Sequence, residues 1–328
     1  MKRWIKKAED NAFLAPVVTY LQTNIGILLA FIVLFTALSF ATPNFLKADN
    51  WINVLRQITT NANISIGVML AIIINGIDLT VGAVIALSGS LCAKLIADFG
   101  VSIPVAVILG CLVGMLSGAI TGSIITFTRM PPFVVTLAMQ NICRGAAYLV
   151  ADGKPIRLPL EAFEKIGTGY AGIIPLPVIY TAILLLFTFY ILNKTKLGRH
   201  IYAVGGNREA ARFSGIKTYR VEIFVYTLSG FLAAFSGIVF AARMASGQPA
   251  VGLGYETDAV AASVLGGASM TGGVGTVGGM FIGALVIGIL SNGLNLIGVN
   301  SFWQYIAKGL VILIAVYIDM FRKRKERF

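Results

Sequence analysis

The sequence predicts an all-α, polytopic membrane protein with about ten transmembrane helices, one or more of them broken or re-entrant. Three observations carry that prediction. Of the 328 residues, 57% are hydrophobic and only 12% charged, about half the charge of a soluble domain. Apolar runs of about 17 residues or more recur along the chain, long enough to cross lipid as helices. The basic residues collect in short polar intervals between those runs, as they do where positive loops stay on the cytoplasmic side. No polar interval could hold a soluble domain, so residues 1–328 read as one transmembrane domain. The 36 glycines suit helices that approach closely in lipid.

Taken in order, the chain starts with a polar stretch carrying Lys2, Arg3, Lys6 and Lys7. A signal peptide would reach its apolar core sooner, so this stretch reads as a cytoplasmic tail. Span 1 covers Ile25 to Ala41 and ends at Thr42-Pro43-Asn44, with a short interfacial helix expected around Trp51. Span 2, Val54 to Ile74, has a polar first half that holds Gln57, Thr59, Thr60, Asn61, Asn63 and Ser65. The stretch from Asn75 to Gly82 follows, and then span 3 to Ala97. Span 4 runs from Ile103 to Phe127, and Pro131-Pro132 opens span 5, Phe133 to Val150, since proline suits a helix start.

A polar connector from Asp152 to Gly172 leads to span 6, Ile174 to Leu192, and the basic loop 193–220 leads to span 7, Val221 to Ala242. Beyond the connector Arg243 to Asp258, span 8 starts near Ala259 and breaks early, at Gly266 to Gly273. Spans 9 and 10 cover Thr276 to Leu296 and Phe302 to Phe321.

Ten crossings put both termini on one side. With that side inside, 17 basic residues lie inside and 7 outside or near it, while Arg144 and Lys308 fall within spans. This imbalance places both termini in the cytoplasm. The stretch Gly76-Ile77-Asp78-Leu79 with Gly82 also echoes Gly267-Ala268-Ser269-Met270 with Gly273. Repeats with broken helices are common in transporters.

Several function classes drop out. The net charge of +12 sits in short loops, so it reads as topology rather than as nucleic-acid binding. Cys92, Cys111 and Cys143 fall inside spans without paired spacing, and His200 is the single histidine, so neither a metal site nor any metal or other cofactor bound to this chain is expected. No GxxxxGK[ST] pattern occurs. The chain is therefore not expected to hydrolyse ATP, and any driving energy must come from another subunit or an ion gradient.

Polar residues within spans are functional candidates, because leaving them in lipid is costly. Asn61 with Ser65, Gln140 with Arg144, and Gln304 with Lys308 are spaced i, i+4, and Asn292 with Asn295 i, i+3. Each pair shares a helical face. Amides can replace water around a polar cargo, and they can equally hold helices together. Asp78, flanked by Gly76 and Gly82, reads as a structural clamp at a helix break or as a gate element, with Gly266 and Gly267 its counterparts in span 8. In the basic loop, Glu209-Ala210-Ala211 through Gly215 suggests a short amphipathic helix ended by glycine. An apolar residue such as Phe213 could then meet a soluble partner or lipid.

Together, these residues resemble the permease subunit of bacterial ATP-binding-cassette importers for monosaccharides, the ribose type in particular. The resemblance rests on Pro43-Asn44-Phe45, Gly76 through Gly82, Leu197-Gly198-Arg199, and Gly205-Gly206-Asn207 through Ile216. It extends to Gly254-Tyr255-Glu256 with Asp258, Leu265-Gly266-Gly267, and Asn292 through Leu296. Thr80 stands where serine is common in the family, and either residue supplies a hydroxyl. The resemblance implies a homodimer in the bacterial inner membrane, a periplasmic sugar-binding protein, and a cytoplasmic ATPase subunit that holds the ATP and magnesium. It implies ATPase docking on Asn207, Arg208, Glu209, Ala210, Ala211, Arg212, Phe213 and Gly215. Glu256 and Asp258 are candidates for docking the binding protein. The rival reading is a stand-alone secondary transporter driven by ions.

Overall fold

The computed structural model describes residues 25–326, so the N-terminal tail and the last two residues lie outside it. Among the described residues the protein is helical apart from four two-residue strands. Helix α1 spans Ile25–Ala41, α2 Ala48–Ile73, α3 Val81–Ala97, α4 Ile103–Thr128 and α5 Pro132–Val150. Strand β1 (Ile156–Arg157), α6 (Glu161–Thr168), β2 (Tyr170–Ala171) and β3 (Ile174–Pro175) follow, then α7 (Leu176–Lys194), α8 (Lys196–Gly206) and α9 (Arg208–Phe213). The chain ends with α10 (Thr218–Arg243), β4 (Ser246–Gly247), α11 (Tyr255–Leu265), α12 (Val277–Leu296) and α13 (Ser301–Glu326). Helices α4, α5, α7, α10 and α12 are long and apolar enough to cross a membrane.

Helix α10 is the hub, packed against α4, α3, α2 and α6. Glycines 110, 114, 118 and 122 line one face of α4 and let the two backbones touch. A Cβ at Gly114 would sit 2.5 Å from the Gly230 carbonyl, and one at Gly122 would sit 2.9 Å from the Ile223 Cα. Small residues four apart are how helices gain close packing where no hydrophobic drive acts between them. A second core joins α1, α2, α11 and α12 around Phe45, Ile58, Ala262 and Ile287.

Side-chain and backbone contacts sort the helix ends into two groups. At one end Lys94 pairs with Asp152 at 2.9 Å, Arg56 binds the Tyr170 hydroxyl, and Arg243 donates to the Arg56 carbonyl at 3.4 Å. Strands β1 and β4 pair antiparallel there, Ile156 opposite Gly247, tying the two connectors together. At the opposite end α8 packs against α2, and α9 against the start of α10. The Gly273 amide donates to the Ile73 carbonyl at 2.8 Å, and the Tyr202 hydroxyl to the Gly275 carbonyl at 2.7 Å.

Four expectations need correction. The helix expected around Trp51 is not separate, because α2 runs unbroken through it with no proline or glycine to stop it. The connector 152–172 is a packed structure: α6 buries Phe163 fully and lays Gly167 against the α10 backbone. The basic loop holds α8 ahead of the expected short helix, started by Thr195, whose hydroxyl accepts from the Gly198 amide at 3.2 Å.

The fourth concerns the helices beside the glycine-rich breaks. Helix α11 has 11 residues, about 16 Å of rise, roughly half the hydrocarbon thickness. It stops at Gly266, and Gly267 (φ +87°) turns the chain into the non-helical stretch before α12. Gly266 itself lies against the α12 backbone at Gly279 and Met280. Helix α3 is likewise preceded by a non-helical stretch. The stretch 74–80 leads from α2 into α3 as 266–276 leads from α11 into α12, and α11 itself starts at Tyr255, ahead of the expected Ala259. Gly82 lies directly against the Gly252 carbonyl and the Glu256 carboxylate, so the two helix starts meet.

Candidate functional site

Asp78 is 1% exposed. Its Oδ1 accepts from the Thr80 amide at 2.9 Å and the Thr80 hydroxyl at 2.6 Å, and its Oδ2 from the Ser229 hydroxyl at 2.6 Å. The carboxylate thus fixes the entry to α3 and bolts it to α10. A buried carboxylate needs such donors when no cation faces it. Gly76 leaves room for the Tyr226 hydroxyl, which a Cβ there would strike.

The start of α11 is built differently. Glu256 Oε1 accepts from Gln140 Nε2 at 3.2 Å and from the Gly254 amide at 3.3 Å. Arg144, one turn along α5 from Gln140, donates to the carbonyls of Pro249 at 2.9 Å and Val251 at 2.5 Å. Gln140 and Arg144 therefore hold the segment that leads into α11. Asp258 pairs with Lys308 of α13 at 2.7 Å, both side chains less than one-fifth exposed.

That ion pair lines a polar cleft of about 180 Å³ between α2, α11, α12 and α13. Gln57, Thr60, Asn61, Arg243, Asn295 and Gln304 line it too. A neighbouring cleft of about 380 Å³ shares Asp258, Asn295, Gln304 and Lys308 and extends to Tyr305 and Leu253. Of the pathway candidates, Asn61, Asn295, Gln304 and Lys308 are brought together here. Ser65 is turned away, its hydroxyl donating to the Asn61 carbonyl at 2.7 Å. Asn292 reaches Asn50 at 3.0 Å, and Asn295 accepts from Gln304 at 2.7 Å, so these amides also tie helices together.

At the opposite end, Asn207 caps α9 by accepting from the Ala210 amide at 2.9 Å. Arg208 forms a two-point ion pair with Glu222 at the start of α10, and Thr126 of α4 donates to the same carboxylate at 2.9 Å. Hydrogen bonding to Glu222 holds the Arg208 guanidinium above its ordinary range. Ala211 faces inward while Glu209, Ala210, Arg212 and Phe213 face out, Phe213 at 87% exposure. Gly215 (φ +85°) closes the turn.

Residues 50–316 match the family described as branched-chain amino acid transport system / permease component. The chain belongs to this permease family. The permease is 46% identical to the ribose import permease protein of Bacillus subtilis over 90% of its own length and 92% of that relative. It is 41% identical to the ribose import permease protein of Haemophilus influenzae over 91% and 93%. The L-arabinose transport system permease protein of Escherichia coli K12 shares 37% over 92% of each chain. No solved structure gave a significant match. Family membership and the apolar helices make the permease a multi-pass inner-membrane protein.

Sequence reasoning missed the polar stripe on α10 of the permease. Glu222, Tyr226 and Ser229 fall at i, i+4 and i+7, and all are buried. That spacing was visible in span 7, as was the lone acid directly after a basic loop. Glu256 and Asp258, expected as docking acids, are instead engaged by Gln140 and Lys308. The outward-facing charges of the connectors include Lys154, Arg157 and Glu161.

Proposed function

We propose that the permease is the membrane subunit of an ATP-driven importer for ribose or a related monosaccharide. The observation that carries this reading is its likeness, along nine-tenths of its length, to ribose import permeases. Ten crossings, with α3 and α11 as the two broken ones, put both termini and the α8–α9 loop in the cytoplasm. Two copies form the pathway. A periplasmic sugar-binding protein lands on the connectors joined by β1 and β4, and a separate ATPase subunit, carrying ATP and magnesium, docks on α9. Phe213 is the anchor for that docking, since an exposed aromatic beside small residues fits a partner pocket. The polar cleft along Asn61, Asn295, Gln304 and the Asp258–Lys308 pair is the stretch where sugar hydroxyls exchange water for amides. Sugar moves by alternating access, with no covalent step in this chain.

The ion-driven alternative is not favoured. In its proton-driven form it needs a buried carboxylate free to cycle a proton, whereas Asp78 is held by three donors and Asp258 by Lys308.

The test is reconstitution of the permease with its ATPase subunit and binding protein in liposomes. Ribose-loaded binding protein is expected to stimulate ATP hydrolysis and uptake. Phe213→Asp is expected to weaken ATPase docking by about 2 kcal/mol or more, roughly thirtyfold in affinity. Uptake by the permease alone, driven by a proton or sodium gradient, would overturn the reading.

A further inference from the structure

The permease needs a physical link between α9, where the ATPase docks, and the meeting point of the two broken crossings. We infer that the buried stripe Glu222–Tyr226–Ser229 on α10 is that link, so that these are positioning residues for transport; the inference rests on the importer reading above.

The stripe begins at the α9 end. Arg208, the first residue of α9, is held to Glu222 by two hydrogen bonds, and Thr126 fixes the same carboxylate from α4. Two turns along, Ser229 donates to Asp78 at 2.6 Å. Asp78 in turn sets Thr80 and the first turn of α3. Gly82 in that turn touches Gly252 and Glu256 at the start of α11. Asp258, on the same first turn of α11, lines the polar cleft with Lys308.

A rod transmits displacement only if it does not bend. The glycine face of α4 locks α10 at Gly114, Gly118 and Gly122. A Cβ on Gly67 of α2 would lie 2.8 Å from the Ser229 Cα, so α2 pins that residue from the other side. From Glu222 to Ser229 is seven residues, about 10 Å of helix, and each end is fixed by side-chain bonds to a different element. Tyr226, midway, has no hydrogen-bond partner for its hydroxyl among the described residues. It acts by filling space beside Gly76, not through its hydroxyl.

A second contact joins the loop to the membrane helices: Gly205 and Gly206 of α8 lie against Ile73, Gly272 and Gly273. It is made by backbone, and removing the Ser229 hydroxyl leaves it intact. The two routes are therefore separable.

The experiment uses the reconstituted complex with ribose and its binding protein, measuring ATP hydrolysed per ribose taken up. Complex yield and melting midpoint are recorded for each variant. Ser229→Ala and Glu222→Gln are expected to assemble normally and keep ATP hydrolysis, while ATP spent per ribose rises about tenfold, within the usual span of coupling between sites. Ser236→Ala, which removes a hydroxyl bonded to the Leu232 carbonyl of its own helix, is expected to stay at the wild-type ratio. Arg208→Gln combined with Glu222→Gln should be no worse than either alone, because both break one contact.

Wild-type stoichiometry in Ser229→Ala and Glu222→Gln would overturn the inference and leave the importer reading standing. So would losses that track complex yield, which mark a purely structural role. Absence of ribose-dependent hydrolysis in the wild type would instead sink the importer reading itself.

Discussion

Asp78 and Glu256 each stand two residues after a glycine, at the start of a helix, yet their surroundings differ. Asp78 is sealed, with three donors from two elements. Glu256 is partly exposed and holds one amide side chain and one backbone amide through a single oxygen. Its neighbour Asp258 opens onto a polar cleft with Lys308 as counter-ion. The same local device is a fixed bolt at one helix start and, through Asp258, a wall of the polar cleft at the other, where Glu256 Oε2 lies buried beside Gly82 without a hydrogen-bond partner among the described residues. Partners decide which: each oxygen of Asp78 has a donor, as a sealed carboxylate requires, whereas Asp258 faces a cleft and a counter-ion.

Four substitutions sharpen that contrast. Asp78→Ala removes the acceptor for three donors, each worth about 1 kcal/mol when orphaned. A loss of about 3 kcal/mol is expected, seen as a large drop in melting midpoint of the detergent-solubilised permease. Lys308→Met strands the Asp258 carboxylate, but the cleft softens the penalty to roughly 2 kcal/mol. Adding Asp258→Asn should restore most of it, and failure of that rescue would mean the pair is not a closed unit. Glu256→Gln keeps an acceptor for the Gly254 amide, so less than about 1 kcal/mol is expected. A melting shift as large as that of Asp78→Ala would erase the distinction between bolt and wall.

Much of this architecture is legible in the sequence, because lipid leaves the backbone few options. Helices α1, α3 and α5 fall within a residue of their expected bounds, and the break at Gly266 lies where the glycines put it. Residues placed on one side by charge, such as Lys94, Arg157 and Arg243, meet at one end of the bundle. Long-range pairing is what stayed hidden. Nothing local tells Glu256 that Gln140 waits on α5, or Asp258 that Lys308 lies on α13. The echo between Gly76 and Gly267 marks two stretches that each lead from one helix into the next, but it does not tell that Gly82 meets Glu256. Two signals were present and unread: the four-residue glycine spacing along α4, and Leu197, Ile201 and Val204 marking the buried face of α8.

The β1–β4 ladder has a consequence for how the chain is made. Its two strands are separated by α6 through α10, so β1 waits without its mate while two further long helices are synthesised. Chains of this size build up from the N-terminus as they emerge. The end of the bundle that carries the ladder is therefore completed late, after α10 has been made. A permease truncated before Ser246 should insert its early helices yet leave the segment around Ile156 open to protease, so that the ladder acts as a maturation mark for that end of the bundle.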